Sequence, residues 1–199
     1  MRVYDHIEQG SPEWHQVRKG ILTASLADKI LTPTGRKSSS ANEIVAKMAA
    51  ERMGLQERED NFQSKWMTRG LQMEEEAINW FEFQTGLETR GTGFVLDPTE
   101  LVGCSPDALV GDELNPLEIK CPKPSTHLLW SMNPNELPAQ YKPQVHFQMS
   151  ILNSGAWFMS YCPPLAPMII RVELDQYTVK MLKAIEAYMD ALKTLEQNE

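Results

Sequence analysis

The segment Cys104-Ser105-Pro106-Asp107 is followed, after ten intervening residues, by Glu118-Ile119-Lys120-Cys121-Pro122. In a strand, residues two apart share a face, so Glu118 and Lys120 point together while Ile119 enters the opposite, apolar layer. Asp107 on the neighbouring strand of a hairpin would bring both carboxylates against Lys120. Glu-x-Lys also occurs as a plain ion pair on exposed strands. Here Leu117, Ile119 and Cys121-Pro122 argue for a strand inside a sheet. Two carboxylates suit a hard divalent cation such as Mg²⁺. A cation so held lowers the pKa of its water and stabilises charge developing on a phosphodiester. A lysine beside it can orient or help deprotonate that water, or stabilise the transition state. Asp107, Glu118 and Lys120 are therefore candidate catalytic residues for metal-dependent phosphodiester cleavage.

Periodicity adds a third acid. Between Met67 and Thr85 the residues Met73, Ala77, Ile78, Trp80 and Phe81 form an apolar arc at helical spacing, and Gly86 ends the run. Glu74 falls within that arc, Glu75 and Glu82 on the far side, Glu76 at the border. A carboxylate among core-facing residues is costly unless it is paired or bound to a cation. Metal or water coordination is the favoured role for Glu74; a salt bridge to Arg69 or Lys65 is the other.

Working outward, Arg18 to Ile30 reads as the start of a helical region capped by Thr23 or Ser25. Residues 32–40 form a polar connector, 41–53 a helix with Ala41, Ile44 and Met48 on one side, and 54–65 a charged loop. Strand-like runs at 92–96, 101–110 and 117–121, with turns at Asp97-Pro98 and Gly111-Asp112, predict an antiparallel meander. A helix follows over 143–152, then strands over 156–162 and 168–174. Residues 175–197 form a closing helix with Met181, Ile185, Tyr188 and Leu192 in register. The order predicts one α/β domain over 1–199, with a mixed central sheet flanked by helices. Its parts are a helical section to about residue 66, a core from about 67 to 174, and the helix from 175 to 199.

The chain has 199 residues and a net charge of −8, which argues against a basic DNA-coating surface. It does not exclude DNA held in a channel, because metal-binding acids count toward the same total. No apolar run approaches the roughly 18 residues of a membrane span. The N-terminus lacks the apolar stretch of a secretory signal, so no membrane partner and a cytoplasmic location are expected. Cys104, Cys121 and Cys162 lack CxxC spacing and read as buried thiols. His6, His15 and His127 have no ligand spacing and read as surface or structural. Trp14, Trp130 and Trp157 read as core or interface.

Five runs together resemble the lambda-type phage recombination exonucleases, a family also known as alkaline exonucleases or viral recombinases. They are Gly10-Ser11-Pro12-Glu13-Trp14-His15-Gln16-Val17-Arg18-Lys19-Gly20-Ile21-Leu22-Thr23-Ala24-Ser25, Arg69-Gly70-Leu71-Gln72-Met73-Glu74, the two acidic segments above, and Gln144-Val145-His146-Phe147-Gln148-Met149. All five stand in the family's order. The resemblance implies a restriction-endonuclease-like core and processive 5′→3′ digestion of one strand of linear double-stranded DNA, leaving a 3′ single-stranded tail. It implies Mg²⁺, with Mn²⁺ expected to substitute, a ring-shaped homotrimer around the DNA, and a partner that anneals single strands. For a phage-encoded enzyme the host cytoplasm is the expected setting. A sequence- or structure-specific endonuclease of the same core is the alternative.

By position, the resemblance implies that Asp107, Glu118, the Ile119 carbonyl and Glu74 bind metal, and that Lys120 serves the water. Arg18, Ser25, Ser105 and Gln144 match positions that hold the 5′-phosphate. A forked guanidinium with hydroxyl and amide donors suits a phosphate dianion. Met67, with Trp66, lies where the family places a wedge at the terminal base pairs. Two positions depart from the pattern: Ala108 stands where glycine is usual, and His146 where another glutamine is common.

Overall fold

The computed structural model describes residues 1–55 and 65–197, with side chains described for all of these except 65–72. The wedge positions Met67 and Trp66, and Arg69 and Lys65 as partners for Glu74, lie outside the described side chains.

A short strand β1 (Arg2–Tyr4) leads to helix α1 (Pro12–Val17). Ser11 caps α1 by accepting from the Trp14 N–H at 3.2 Å, and proline stands in the first turn. Arg18 is thus the end of a helix, not the start of the one expected from 18 to 30. Gly20 explains the difference. It sits at φ +69°, where an added Cβ would meet the Arg52 side chain at 2.4 Å. The chain reverses there and enters β2 (Leu22–Thr23), followed by a 3₁₀ turn over Ala24–Lys29. Thr23 occupies the cap position of that turn without a side-chain cap bond.

Helix α2 (Ala41–Arg52) buries Ala41, Ile44 and Met48 as the pattern required. After α3 (Lys65–Thr85) come β3 (Thr89–Arg90), β4 (Phe94–Leu96), β5 (Val102–Cys104), β6 (Ala108–Val110) and β7 (Asn115–Lys120). The single strand expected over 101–110 is two strands in two sheets. The first sheet has the order β1-β4-β5-β2. Next come α4 (Pro124–Ser131), a 3₁₀ turn over Ala139–Tyr141, α5 (Lys142–Leu152), β8 (Ala156–Ser160), β9 (Met168–Val172) and α6 (Gln176–Gln197). The second sheet has the order β3-β6-β7-β8-β9. Each sheet is mixed, through the parallel pairs β2·β5 and β7·β8. Strands β1, β2 and β3 and helix α4 were not anticipated.

β7 fixes the site. Its Leu117 and Ile119 face a cluster with Ala77 and Phe81 of α3 and Met159 of β8. Its other face receives α5, most of whose residues are buried. Val145 and Met149 pack toward β8 and β9, and Phe147 enters the main core with Met181, Ile185, Tyr188 and Leu192 of α6. Truncating a side chain as buried as Phe147 typically costs about 3–5 kcal/mol. Asp175 starts α6 by accepting from the Tyr177 and Thr178 N–H groups at 2.8 and 3.0 Å. His146 Nδ1 lies 2.8 Å from the Thr178 hydroxyl, on the side of α5 away from β7. Burial pulls its pKa down to about 4, against the opposing pull of Asp175.

Candidate active site

The residues Ser105-Pro106-Asp107 carry the chain from one sheet to the other, and the candidate site divides along them. On the second-sheet side, the Asp107 N–H donates to the Leu117 carbonyl at 3.0 Å, setting the hairpin register. Asp107 Oδ2 accepts from the Ile119 N–H at 2.5 Å. Asp107 therefore reaches β7 from the start of β6, not from within a strand.

Glu118 is almost fully buried, at 1% exposure, between the apolar Leu117 and Ile119 of β7. Both of its oxygens have partners: Gln144 Nε2 donates to Oε1 and Gln148 Nε2 to Oε2, both at 2.6 Å, and Lys120 pairs with Oε1. Charge-assisted hydrogen bonds of this kind contribute about 1.5–3 kcal/mol each. Glu118 and Lys120 thus share a face, as the i, i+2 spacing required. Burial opposes the charge on Lys120, but Glu118 and Asp107 outweigh it and hold its pKa above the ordinary lysine value. The Lys120 ammonium also lies 5.2 Å from the centre of the Tyr141 ring.

Burial and then the charge of Glu118 raise the pKa of Asp107 well above normal, with Lys120 and the Ile119 N–H only partly offsetting them. Burial and Glu118 likewise raise the pKa of Glu74. The arc on α3 therefore places Glu74 within the field of this cluster, while Glu75 and Glu76 are exposed. Glu76 instead accepts from the Tyr161 hydroxyl at 2.7 Å.

These residues fit a hard cation. Their donors are all oxygen, and mutually repelling carboxylates are relieved by positive charge between them. Among the described residues, no three Asp, Glu, His or Cys side chains are grouped to hold a metal ion jointly. Two carboxylates, a backbone carbonyl and retained waters are nevertheless a usual arrangement for Mg²⁺.

On the first-sheet side the centre is Arg18. Its guanidinium lies 3.7 Å from the centre of the Trp14 ring, donates to the Ser105 hydroxyl at 3.0 Å and to the Thr23 hydroxyl at 3.3 Å. Stacking of this kind contributes up to about 2 kcal/mol when desolvated. Burial lowers its pKa to about 10, so it remains a cation at neutral pH. Among the described residues no carboxylate pairs with it. Ser105 Oγ accepts from Arg18 and from Trp14 Nε1, and gives its proton to the Gly93 carbonyl at 2.8 Å. Ser105 therefore positions the guanidinium. Gly93 must be glycine here: an added Cβ would lie 2.0 Å from the Ile7 carbonyl oxygen. Ser25 is exposed and 3.1 Å from the Thr23 hydroxyl.

The structure thus gathers Arg18, Ser105 and Ser25 on one side, and Gln144 with the acids on the other. Ser25 and Gln144 meet again in the lining of a single cavity of about 580 Å³. Sequence reasoning missed Thr23, the stacking role of Trp14, and Gln148. The four-residue spacing of Gln144 and Gln148 was the available signal for the last, since it places both on one helix face. His6 and His15 are exposed, and His127 is a buried structural link between Ser160 and the Ala166 carbonyl. Cys104 and Cys162 are buried and Cys121 partly so, and none of the three is in a disulfide.

A model of the YqaJ-like viral recombinase domain matches residues 13–156, spanning both halves of this site. The chain belongs to the YqaJ-like viral recombinase family. Solved structures agree with the assignment. An alkaline exonuclease from Laribacter hongkongensis superposes with a TM-score of 0.79 at 26% identity, covering 94% of this chain and 95% of that one. The same enzyme in complex with dAMP gives 0.72, again at 26% identity, over 94% and 97%. A phage-related exonuclease from Haemophilus somnus 129PT shares the fold, with a TM-score of 0.62 at 15% identity over 89% and 96%. No curated protein matches the sequence. The chain has the expected fold class, a restriction-endonuclease-like α/β core with mixed sheets flanked by helices. Among its described residues, no helix is long and apolar enough to cross a membrane.

Proposed function

We propose that the chain is a metal-dependent exonuclease that digests one strand of linear double-stranded DNA in the 5′→3′ direction, leaving a 3′ single-stranded tail for recombination by strand annealing. The observation that carries this reading is a partly buried cation and a carboxylate–lysine cluster separated by Pro106. The cluster suits the scissile phosphodiester. The Arg18 guanidinium, which no carboxylate pairs with among the described residues, suits the terminal phosphate of the same strand. The alkaline exonuclease at 26% identity, solved alone and with dAMP, a deoxynucleoside monophosphate, adds support.

Asp107, Glu118 and the Ile119 carbonyl would hold Mg²⁺ or Mn²⁺, with Glu74 completing the acidic set. When bound, the cation activates a water and offsets charge developing on the phosphodiester. Lys120, kept as an ammonium by Glu118 and Asp107, would orient that water and offset the negative charge developing on the reacting phosphate. Arg18, steadied by Trp14 and Ser105, holds the 5′-phosphate with Ser25 and Gln144 nearby. Met67 or Trp66 would part the terminal base pairs. Family membership extends the proposal to a homotrimeric ring and an annealing partner. Sedimentation at three times the 22.6 kDa chain mass is the expected result for the ring.

The test is digestion of linear and covalently closed duplex DNA with Mg²⁺ or with EDTA. Linear DNA is expected to be degraded only with Mg²⁺, and closed circles to survive. Equal cleavage of closed circles would favour an endonuclease of the same core and overturn this reading.

A further inference from the structure

We propose that Gln148 is a positioning residue for metal binding, holding the Glu118 carboxylate in one orientation through its Oε2; the proposal rests on the nuclease reading above. Gln144 and Gln148 lie one helical turn apart on α5 and each takes one oxygen of Glu118. They differ in surroundings. Gln144 is partly exposed beside the cavity, whereas Gln148 is completely buried. Its helix neighbours Val145, Phe147 and Met149 are apolar and equally buried.

Packing does not account for a glutamine there, because methionine would fill similar space. Gln148 Oε1 is buried with no hydrogen-bond partner. A buried acceptor left unsatisfied typically costs about 1–3 kcal/mol. Turning the amide over would not help, since it would set Oε1 against the carboxylate. The residue therefore keeps one end unmet so that the other can donate to Glu118. With both oxygens tied to a rigid, mostly buried helix, the carboxylate plane cannot rotate toward Lys120 alone. Partners that orient a ligand in this way typically change metal affinity 10–100-fold when removed.

The experiment is calorimetric titration of Mn²⁺ into the wild-type protein and Gln148→Met, without DNA, followed by steady-state cleavage. The variant should bind Mn²⁺ at least about tenfold more weakly. Its kcat should fall while KM for duplex DNA stays unchanged. Equal Mn²⁺ affinity in a folded Gln148→Met variant overturns the proposal. If that variant does not fold, the side-chain amide resonances of wild-type Gln148 decide the matter. They should be protected from solvent exchange in EDTA and shift on adding Mg²⁺; rapid exchange, or no shift, overturns it. A wild-type protein that binds no Mn²⁺ overturns the nuclease reading itself, a result distinct from equal binding by both proteins.

Discussion

The two sides of Pro106 solve opposite electrostatic problems with different materials. Around Arg18 a single positive charge is held by hydroxyls and an indole face, all neutral, so its charge is oriented but not cancelled. Around Glu118 negative charges are crowded together, and amides and Lys120 hold them only in part. One side calls for an anion and the other for a cation. A DNA strand ending in a phosphate, cut with the help of a divalent ion, supplies both. The contrast also shows why a net charge of −8 is compatible with a nucleic-acid substrate: the positive charge that matters is local and partly buried.

Lys120→Ala should break the acidic side most severely. Turnover on linear duplex is expected to fall on the order of 10²–10⁴-fold with DNA binding retained, as read by single-turnover kinetics and a binding assay. Loss of binding in step with turnover would give Lys120 a different role. Arg18→Ala acts on the other side. It should remove the preference for a 5′-phosphate, lowering cleavage of phosphorylated ends by about 10–100-fold and leaving 5′-hydroxyl ends unchanged. Wild-type rates on both substrates would take Arg18 out of the pocket.

The two halves were not equally legible in the sequence. Glu118 and Lys120 were readable because strand alternation is local and their flanks are apolar. Glu74 was readable because helical periodicity is local too, although Trp80, in the same arc, is 39% exposed. The break between β5 and β6 was hidden because it is short, with the apolar runs Leu101–Cys104 and Ala108–Val110 close on either side of Ser105-Pro106-Asp107. Pro106, which lacks an N–H for a ladder, was its one local sign. The Arg18 side depends on contacts between distant segments, with Trp14 and Arg18 meeting Gly93 and Ser105. No periodicity encodes such contacts; resemblance supplied Arg18, Ser25 and Ser105, but not Thr23 or the indole platform.

Smaller effects sharpen the same picture. His146, on the face of α5 away from Glu118, is buried with its pKa lowered to about 4. A depressed folded value means that its stabilising contribution is present above the unfolded pKa of about 6.5 and lost as pH falls toward 4. Denaturant titrations should show about 2 kcal/mol of stability lost across that window, flattened in His146→Gln. An unchanged slope would show that His146 titrates normally. Asp107 carries the opposite sign. Its raised pKa means stability is greatest below the unfolded value and declines as pH rises through the folded one. At neutral pH in EDTA, Asp107→Asn should therefore stabilise the protein by about 1 kcal/mol while removing activity. A lower melting temperature for this variant would mean that its carboxylate is not under repulsion.

The most direct test follows release of labelled mononucleotide from linear duplex DNA labelled at the 5′ or the 3′ terminus of one strand, with Mg²⁺. The expected result is early release of the 5′ label, faster from 5′-phosphate than 5′-hydroxyl ends, with the 3′ label retained in a single-stranded tail. Early release of the 3′ label, or equal rates from the two kinds of 5′ end, would contradict a site in which Arg18 holds the terminal phosphate while Asp107, Glu118 and Lys120 cut beside it.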